Sequence, residues 1–262
     1  MKGLQLKKVN MYRACFFYAS FSFLFVLPGL TLSAQRKVDT RQYVALFNGV
    51  NLDGWRGDTA LWHVKDHAII GEIKPGKELK RNSFLIWEGG TVSDFELIVE
   101  YRISGKGNSG FNYRSEEVEN VPFAMKGYQA DIDGANRYTG QNYEERGRTI
   151  IAFPGQKVRL PSVSDTIVPV KNVWPASEKI ADLGNVDSLK YFIKNNDWNV
   201  LRIVAKGNRM LHYINNVLMS DVTDDDSAHR KMTGLLGFQV HVGPPMTMEV
   251  RSIRLKTFGK KN

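Results

Sequence analysis

The chain has 262 residues, with 36 Lys+Arg against 27 Asp+Glu, a formal net charge of +9, 42% hydrophobic and 24% charged residues. That composition is globular and excludes the fibrous and disordered classes. Residues 1–34 carry Lys2, Lys7, Lys8 and Arg13 and no acid; without them 32 bases face 27 acids, and a balance of +5 excludes a strongly basic nucleic-acid binder.

The first element in chain order is an export segment. Met1–Arg13 is a basic leader and Ala14–Leu32 a Phe-rich apolar run that closes near Pro28 and Gly29. Leu32-Ser33-Ala34 puts small residues where a signal peptidase reads, so residues 1–34 are expected to be a signal peptide cleaved before Gln35. A retained membrane anchor is the alternative, because the run is long enough to span a bilayer. Cys15 opens that run instead of closing it, which argues against a lipoprotein. It is also the only cysteine, so residues 35–262 would have no disulfide, thiol nucleophile or thiolate metal site and would rely on an ordinary core. An exported chain without disulfides fits a bacterial periplasm or cell surface, with no membrane span after signal removal.

Strand signals dominate the remainder of the chain. Phe95–Arg102 alternates, with Phe95, Leu97, Val99 and Tyr101 on one face and Glu96, Glu100 and Arg102 on the other. Gly105–Gly110 reads as a turn; it lacks the Lys-Ser/Thr of a phosphate loop. Val158–Lys194 is the least regular stretch and is expected to be a long surface excursion, with room for a short helix within Ser177–Ile193. Asn199–Ala205 is a β-branched strand, and Met210–Ile214 and Val217–Val222 flank Asn215-Asn216, a tight hairpin turn because Asn tolerates positive φ. Asp224–Lys231 has room for a helical turn, and Leu235–Val242 and Met248–Leu255 are the last two strands. Many antiparallel strands joined by short turns predict an all-β, two-sheet antiparallel sandwich of the jelly-roll kind over residues 35–262.

Period-two alternation puts Asn112 with Arg114, Gln129 with Asp131 and Asp133, and Gln239 with His241, each set opposite apolar neighbours. Gln, Asn, Arg and His beside carboxylates form the hydrogen-bonding set that a polyhydroxylated ligand needs; a plain solvated face is the alternative. Single features say less. His241 fits a general base, a metal ligand or a structural histidine. His63 and His67 lie outside any HExxH pattern and read as surface residues. Asp224-Asp225-Asp226 lacks the Gly and distal Glu of an EF-hand and reads as a solvated turn. No G-x-S-x-G elbow supports serine hydrolysis.

Seven motifs in order carry a family resemblance: Leu46–Trp55 (LFNGVNLDGW), Asn108–Arg114 (NSGFNYR), Gly127–Asp131 (GYQAD), Tyr143–Arg148 (YEERGR), Asp197–Asn199 (DWN), Gly237–His241 (GFQVH) and Gly243–Met246 (GPPM). Together they resemble the 3-keto-disaccharide hydrolase domain family from about Val44 to Lys256. The resemblance implies a concanavalin A-like jelly roll with its site on the concave face, export, and cleavage of glycosides whose C3 hydroxyl a separate sugar 3-dehydrogenase has first oxidised to a ketone. Three positions depart from the pattern: Asn215-Asn216 for Asn-Gly, Phe238 for a smaller aliphatic, and Asn142 for an apolar residue, the last expected to alter the pocket wall.

A C3 ketone acidifies the C2 proton, so removal of that proton, loss of the C1 substituent and addition of water give net hydrolysis. Such chemistry needs a base, an acid and a partner for the enolate oxygen. Glu100, Asp131 and His241 are the candidate acid and base groups, and Arg114 and Arg148 candidates for the enolate or for orienting the sugar. Asn112, Gln129 and Gln239 would bind hydroxyls, Tyr143 and Trp198 would pack on a pyranose, and Glu144 stands beside Tyr143 as a further binding candidate. A divalent metal held by Glu, Asp and His suits these residue types, with no ligand spacing that compels it. Alternatives are an ordinary two-carboxylate glycosidase, a lectin-like carbohydrate-binding module on the same fold and a structural envelope protein.

Overall fold

The computed structural model describes residues 42–164 and 166–259; the expected signal peptide and Cys15 lie outside them. Two sheets stack face to face. The ten-stranded one runs β12 (Glu178–Asp182), β11 (Gln156–Leu160), β15 (Val217–Asp224), β14 (Arg209–Ile214), β13 (Asn199–Lys206), β6 (Phe95–Ile103), β17 (Met246–Thr257), β4 (Ala68–Ile73) and β3 (Trp62–Lys65), with β1 (Val44–Ala45) also on β17. The seven-stranded one runs β10 (Thr149–Ala152), β9 (Asn142–Glu145), β8 (Met125–Asp133), β7 (Asn108–Glu117), β16 (Leu235–Val240), β5 (Ser83–Trp87) and β2 (Trp55–Arg56). This is the expected all-β jelly roll.

β6 shows why these residues make this sheet. Its residues Phe95, Leu97, Val99, Tyr101 and Ile103 are buried against the other sheet, while Glu96, Ile98, Glu100 and Arg102 stay half-exposed outside. The outer charges pair across strands: Glu96 with Arg202 of β13 at 3.1 Å, Arg102 with Glu249 of β17 at 2.7 Å and Glu100 with Arg251 at 2.8 Å. The β14–β15 turn has φ of +48° at Asn215 and +69° at Asn216, the left-handed pair that a two-residue hairpin requires. Asn215 Oδ1 also accepts from the Val200 N–H at 2.8 Å, and Asn216, where Gly is usual, tolerates the left-handed φ. Phe238 fills the core edge-on to Phe111, ring centroids 4.6 Å apart.

The excursion after β11 is more ordered than expected. It holds edge strand β12 and a five-residue helix, α1 (Val186–Lys190), capped by Asn185. Ile150 of β10 bridges in parallel to Val173. The segment after β15 forms a turn and no helix, and the Asp224-Asp225-Asp226 run is not solvated: Asp224 and Asp226 are fully buried.

Candidate active site

One face of the seven-stranded sheet packs into the core through Phe111, Tyr113, Tyr128, Ala130, Ile132 and Phe238. Alternation then forces Asn112, Gln129, Asp131 and Gln239 onto the opposite face, where all four are 7% exposed or less. They form no plain wet face. A cavity of about 210 Å³ opens there, walled by Gln129, Asp131, Gln141, Tyr143, Glu145 and His241, with Lys171 and Asn172 reaching in from the excursion.

Asp131 is its centre. Gln129 Nε2 donates to one carboxylate oxygen at 2.5 Å and Gln141 Nε2 donates to the other. These contacts fix which way both amides face, because a flip would set oxygen against oxygen. Burial pushes the Asp131 carboxyl up to about 7; the two amides oppose the shift, and the charges of Glu145 and Asp133 add to it. Glu145 is raised as well, chiefly by burial, although Asn82 Nδ2 (3.2 Å), Gln239 Nε2 (3.3 Å) and the nearby His241 favour its charge. Two carboxyl groups of raised proton affinity therefore share one small cavity. The side-chain oxygens of Gln129, Gln141 and Gln239 are buried with no donor among the described residues, so the shell is rich in unused acceptors. Burial also pushes the Tyr143 phenol up to about 12, keeping it a hydroxyl at neutral pH; it donates to Asn172 Oδ1 at 3.4 Å. His241 Nδ1 lies 2.6 Å from the Val242 carbonyl, which fixes the proton on Nδ1 in the neutral ring and leaves Nε2 as an acceptor.

Beneath the cavity runs a buried chain. Asn142 Nδ2 donates to the Tyr113 hydroxyl (3.1 Å), which donates to His212 Nε2 (2.9 Å), and His212 Nδ1 donates to the Gln141 carbonyl (3.1 Å). Burial pushes His212 down to about 4, so it is neutral. Asn142 thus faces the core under Gln141 and forms no part of the pocket wall, a correction to the sequence expectation.

Asp131, Gln129, Tyr143 and His241 line the cavity, Gln239 backs it, and Asn112 lies buried on the same face with its Nδ2 3.4 Å from Ser115 Oγ. The structure does not bring the other candidates there. Glu100 lies on the outer face of the other sheet, held by Arg251. Trp198 sits beside it, between Arg102 at 4.9 Å and Arg251 at 4.2 Å. Arg114 leaves the face because β7 bulges between Tyr113 and Glu116 and Arg114 adopts φ of +47°. Its guanidinium is buried and donates to the Ser93 and Gly207 carbonyls at 2.9 and 2.8 Å and to Asp94 at 3.1 Å, stapling two loops. Glu144 and Arg148 point into the interior: Arg148 Nε donates to Glu144 at 2.6 Å and Nη2 to Asp224 at 2.6 Å, with Asp226 at 3.7 Å. Burial works against the Arg148 charge, but hydrogen bonding to Asp224 and the field of Glu144 outweigh it and raise its pKa.

Sequence reasoning missed Glu145, although period two pairs Tyr143 with Glu145, not with Glu144. It also missed Gln141, Lys171 and Asn172, which sit on loops that carry no period. Among the described residues no group of three or more His, Cys, Asp or Glu side chains is placed to hold a metal ion. Among them, too, no helix is long and apolar enough to cross a membrane.

A 3-keto-disaccharide hydrolase of Bacteroides thetaiotaomicron is 31% identical over 97 residues, covering 33% of this chain and 32% of that protein, so the match spans about a third of the relative's length. A Parabacteroides distasonis structure whose name proposes a glycosyl hydrolase shares the fold at a TM-score of 0.52 and 15% identity, over 82% of this chain and 99% of that one. A Bacillus subtilis carbohydrate-binding module is similar at a TM-score of 0.48 and 18% identity, over 78% and 96% of the two chains. The model of the 3-keto-alpha-glucoside-1,2-lyase-like domain matches residues 42–256, and the chain belongs to that family.

Proposed function

We propose that the protein is an exported enzyme that cleaves glycosides carrying a ketone at C3, by elimination across C1–C2 followed by hydration. The observation that carries the reading is the Asp131–Glu145 pair, two buried carboxyls of raised proton affinity in a cavity otherwise walled mainly by amides, tyrosines and His241. A base near neutral pKa suits the moderately acidic proton next to a ketone. In this reading Asp131, once ionised, removes the C2 proton and passes it to the departing oxygen as the C1–O bond breaks and the C1=C2 bond forms. Water then adds at C1 with its proton passing to Glu145, which returns that proton to C2. Lys171 and Asn172 face the developing enolate oxygen, and the unused acceptors beside Asp131 and Glu145 suit sugar hydroxyls. The ketone would come from a separate sugar 3-dehydrogenase.

The test is release of a chromophore by the purified protein from a glucoside and from its 3-keto counterpart, with and without EDTA. Release from the 3-keto compound alone is expected. Release from the unoxidised glycoside would instead favour a two-carboxylate glycosidase, and silence on both with saturable glycan binding would make the protein a binding module. Sensitivity to EDTA, reversed by a divalent ion, would add a metal.

Two substitutions probe the walls. His241→Ala is expected to cut turnover at least about a hundredfold if the imidazole moves a proton; an unchanged rate removes it from the mechanism. Gly110 lies across from Asp131 in the β7–β8 ladder, and a Cβ there would meet the Gln129 side chain at 2.6 Å. Gly110→Ala should push Gln129 off Asp131 and lower kcat/KM by roughly tenfold to a hundredfold, with circular dichroism unchanged.

A further inference from the structure

The cavity that holds the two carboxyls is smaller than its neighbour. It measures about 210 Å³, below the roughly 300 Å³ at which small-molecule sites begin. A second cavity of about 540 Å³ adjoins it, and Asn108, Tyr138 and His241 line both. The two therefore lie side by side across these three residues, and the larger lies beyond the reacting groups. Resting on the function proposed above, we infer that the substrate is an oligosaccharide of more than two sugars. Its cleaved unit sits over Asp131 and Glu145, and its remaining sugars cross His241 and Tyr138 into the larger cavity.

The shared wall suits that occupant. Tyr138 is 37% exposed, with the Arg137 guanidinium 5.5 Å from its ring centroid; an amphipathic ring at a wet rim is what a pyranose face packs on. Its loop is braced for contact. The Arg137 N–H donates to Asp133 at 2.9 Å, Thr139 Oγ1 accepts from the Asp133 N–H at 2.9 Å, and Asn136 Nδ2 reaches Asn195 Oδ1 at 2.5 Å. A binding surface that is already ordered loses less entropy when a flexible glycan settles on it.

Charge decides the direction of extension. A cavity of about 310 Å³ on the other side of Glu145 is lined in large part by groups paired with one another: Lys126 with Glu116 at 2.9 Å, Lys231 with Glu116 at 3.5 Å and Arg148 with Glu144 at 2.6 Å. Sugar hydroxyls entering there would have to compete with those ion pairs. The larger cavity holds a single such pair, Arg137 with Asp133 at 3.8 Å, and beside it presents Lys106, Asn108 and the Tyr138 rim.

The experiment uses two ladders, maltose to maltopentaose and cellobiose to cellopentaose, each oxidised at C3 of the non-reducing-end sugar, with the unoxidised ladders for calorimetric binding. In whichever series is cleaved, kcat/KM should rise at least about tenfold from two units to four, because binding of remote sugars is spent on the transition state. Ala135→Trp, which puts a bulky ring into the larger cavity, should collapse the four-to-two ratio towards one; Ala135→Ser should keep it. Equal kcat/KM at every length, or a ratio that survives Ala135→Trp, overturns the inference. If no oxidised sugar is cleaved, the proposed reaction fails but the larger cavity is still judged. Affinity for the unoxidised ladder that grows with length and is lost in Ala135→Trp supports it, and affinity independent of length overturns it.

Discussion

Asp131→Asn is expected to lower kcat about 10²- to 10⁴-fold while leaving the protein folded, the range for loss of a positioned general base. In the native enzyme the rising limb of the pH–rate profile should fall near pH 7, because Asp131 must be ionised to accept a proton and burial pushes its carboxyl up to about 7. The residual activity of the variant should lack that limb. The same substitution is expected to stabilise the protein. Between the ordinary carboxylate range near pH 4 and pH 7, the folded state binds a proton at Asp131 that the unfolded state does not. Native stability therefore falls across that interval as pH rises, and stays low above it. The cost of the buried charge is on the order of a few kcal/mol at pH 8, partly offset in the variant because Asn turns one of the Gln129 and Gln141 contacts into an N–H facing an N–H. Urea titrations at pH 5 and pH 8 measure it. A variant that loses activity without gaining relative stability at pH 8 would mean that the Asp131 carboxyl titrates normally.

Arg148→Met is expected to destabilise the fold by about 3–5 kcal/mol at pH 7, the usual result of removing one partner from a buried ionic cluster. Glu144, Asp224 and Asp226 surround this guanidinium and are nearly inaccessible to water. Without it, three carboxylates face one another in the interior. They relieve this by binding protons, so the deficit should shrink as pH falls towards 5, as read by denaturant midpoints across that range. Arg148→Lys should recover only part of the loss, since an ammonium cannot reproduce the fork that spans Glu144 and Asp224. Were Arg148 a substrate-binding group, the variant would instead keep its stability and lose affinity.

The strands of the ten-stranded sheet were legible because one face of β6, β13 and β14 is packed and the other is partly exposed. β6, β13 and β14–β15 fall where alternation and the Asn215-Asn216 pair place them. The site was legible to the same extent: Gln129, Asp131 and Gln239 sit on regular strands, so period two puts them on one face. Arg114 broke the rule because the bulge at its position inverts the alternation, and its sequence, with no Gly at the left-handed residue, does not announce a bulge. Arg148 and Glu144 failed for a different reason. A short strand followed by a turn at residues 146–148 points charged groups inwards, and only the distant Asp224, on another sheet, makes that burial tolerable. Nothing local to Tyr143–Arg148 encodes the partner.

The position of β17 bears on how the chain reaches this state. The last strand lies between β6 and β4 and also carries β1, so residues 44–45 register against residues 254–255 and residues 69–73 against 246–250. Pairings of such sequence separation close large loops and form late. Without β17, the ten-stranded sheet would be two separate parts with facing open edges. β16, which carries Gln239, immediately precedes β17, so the floor of the cavity and the seam of the larger sheet are supplied by the same stretch of chain. Closure of the larger sheet therefore waits for β17, and a chain that stops short of Met246 loses the seam between its N-terminal strands and the rest of the sheet.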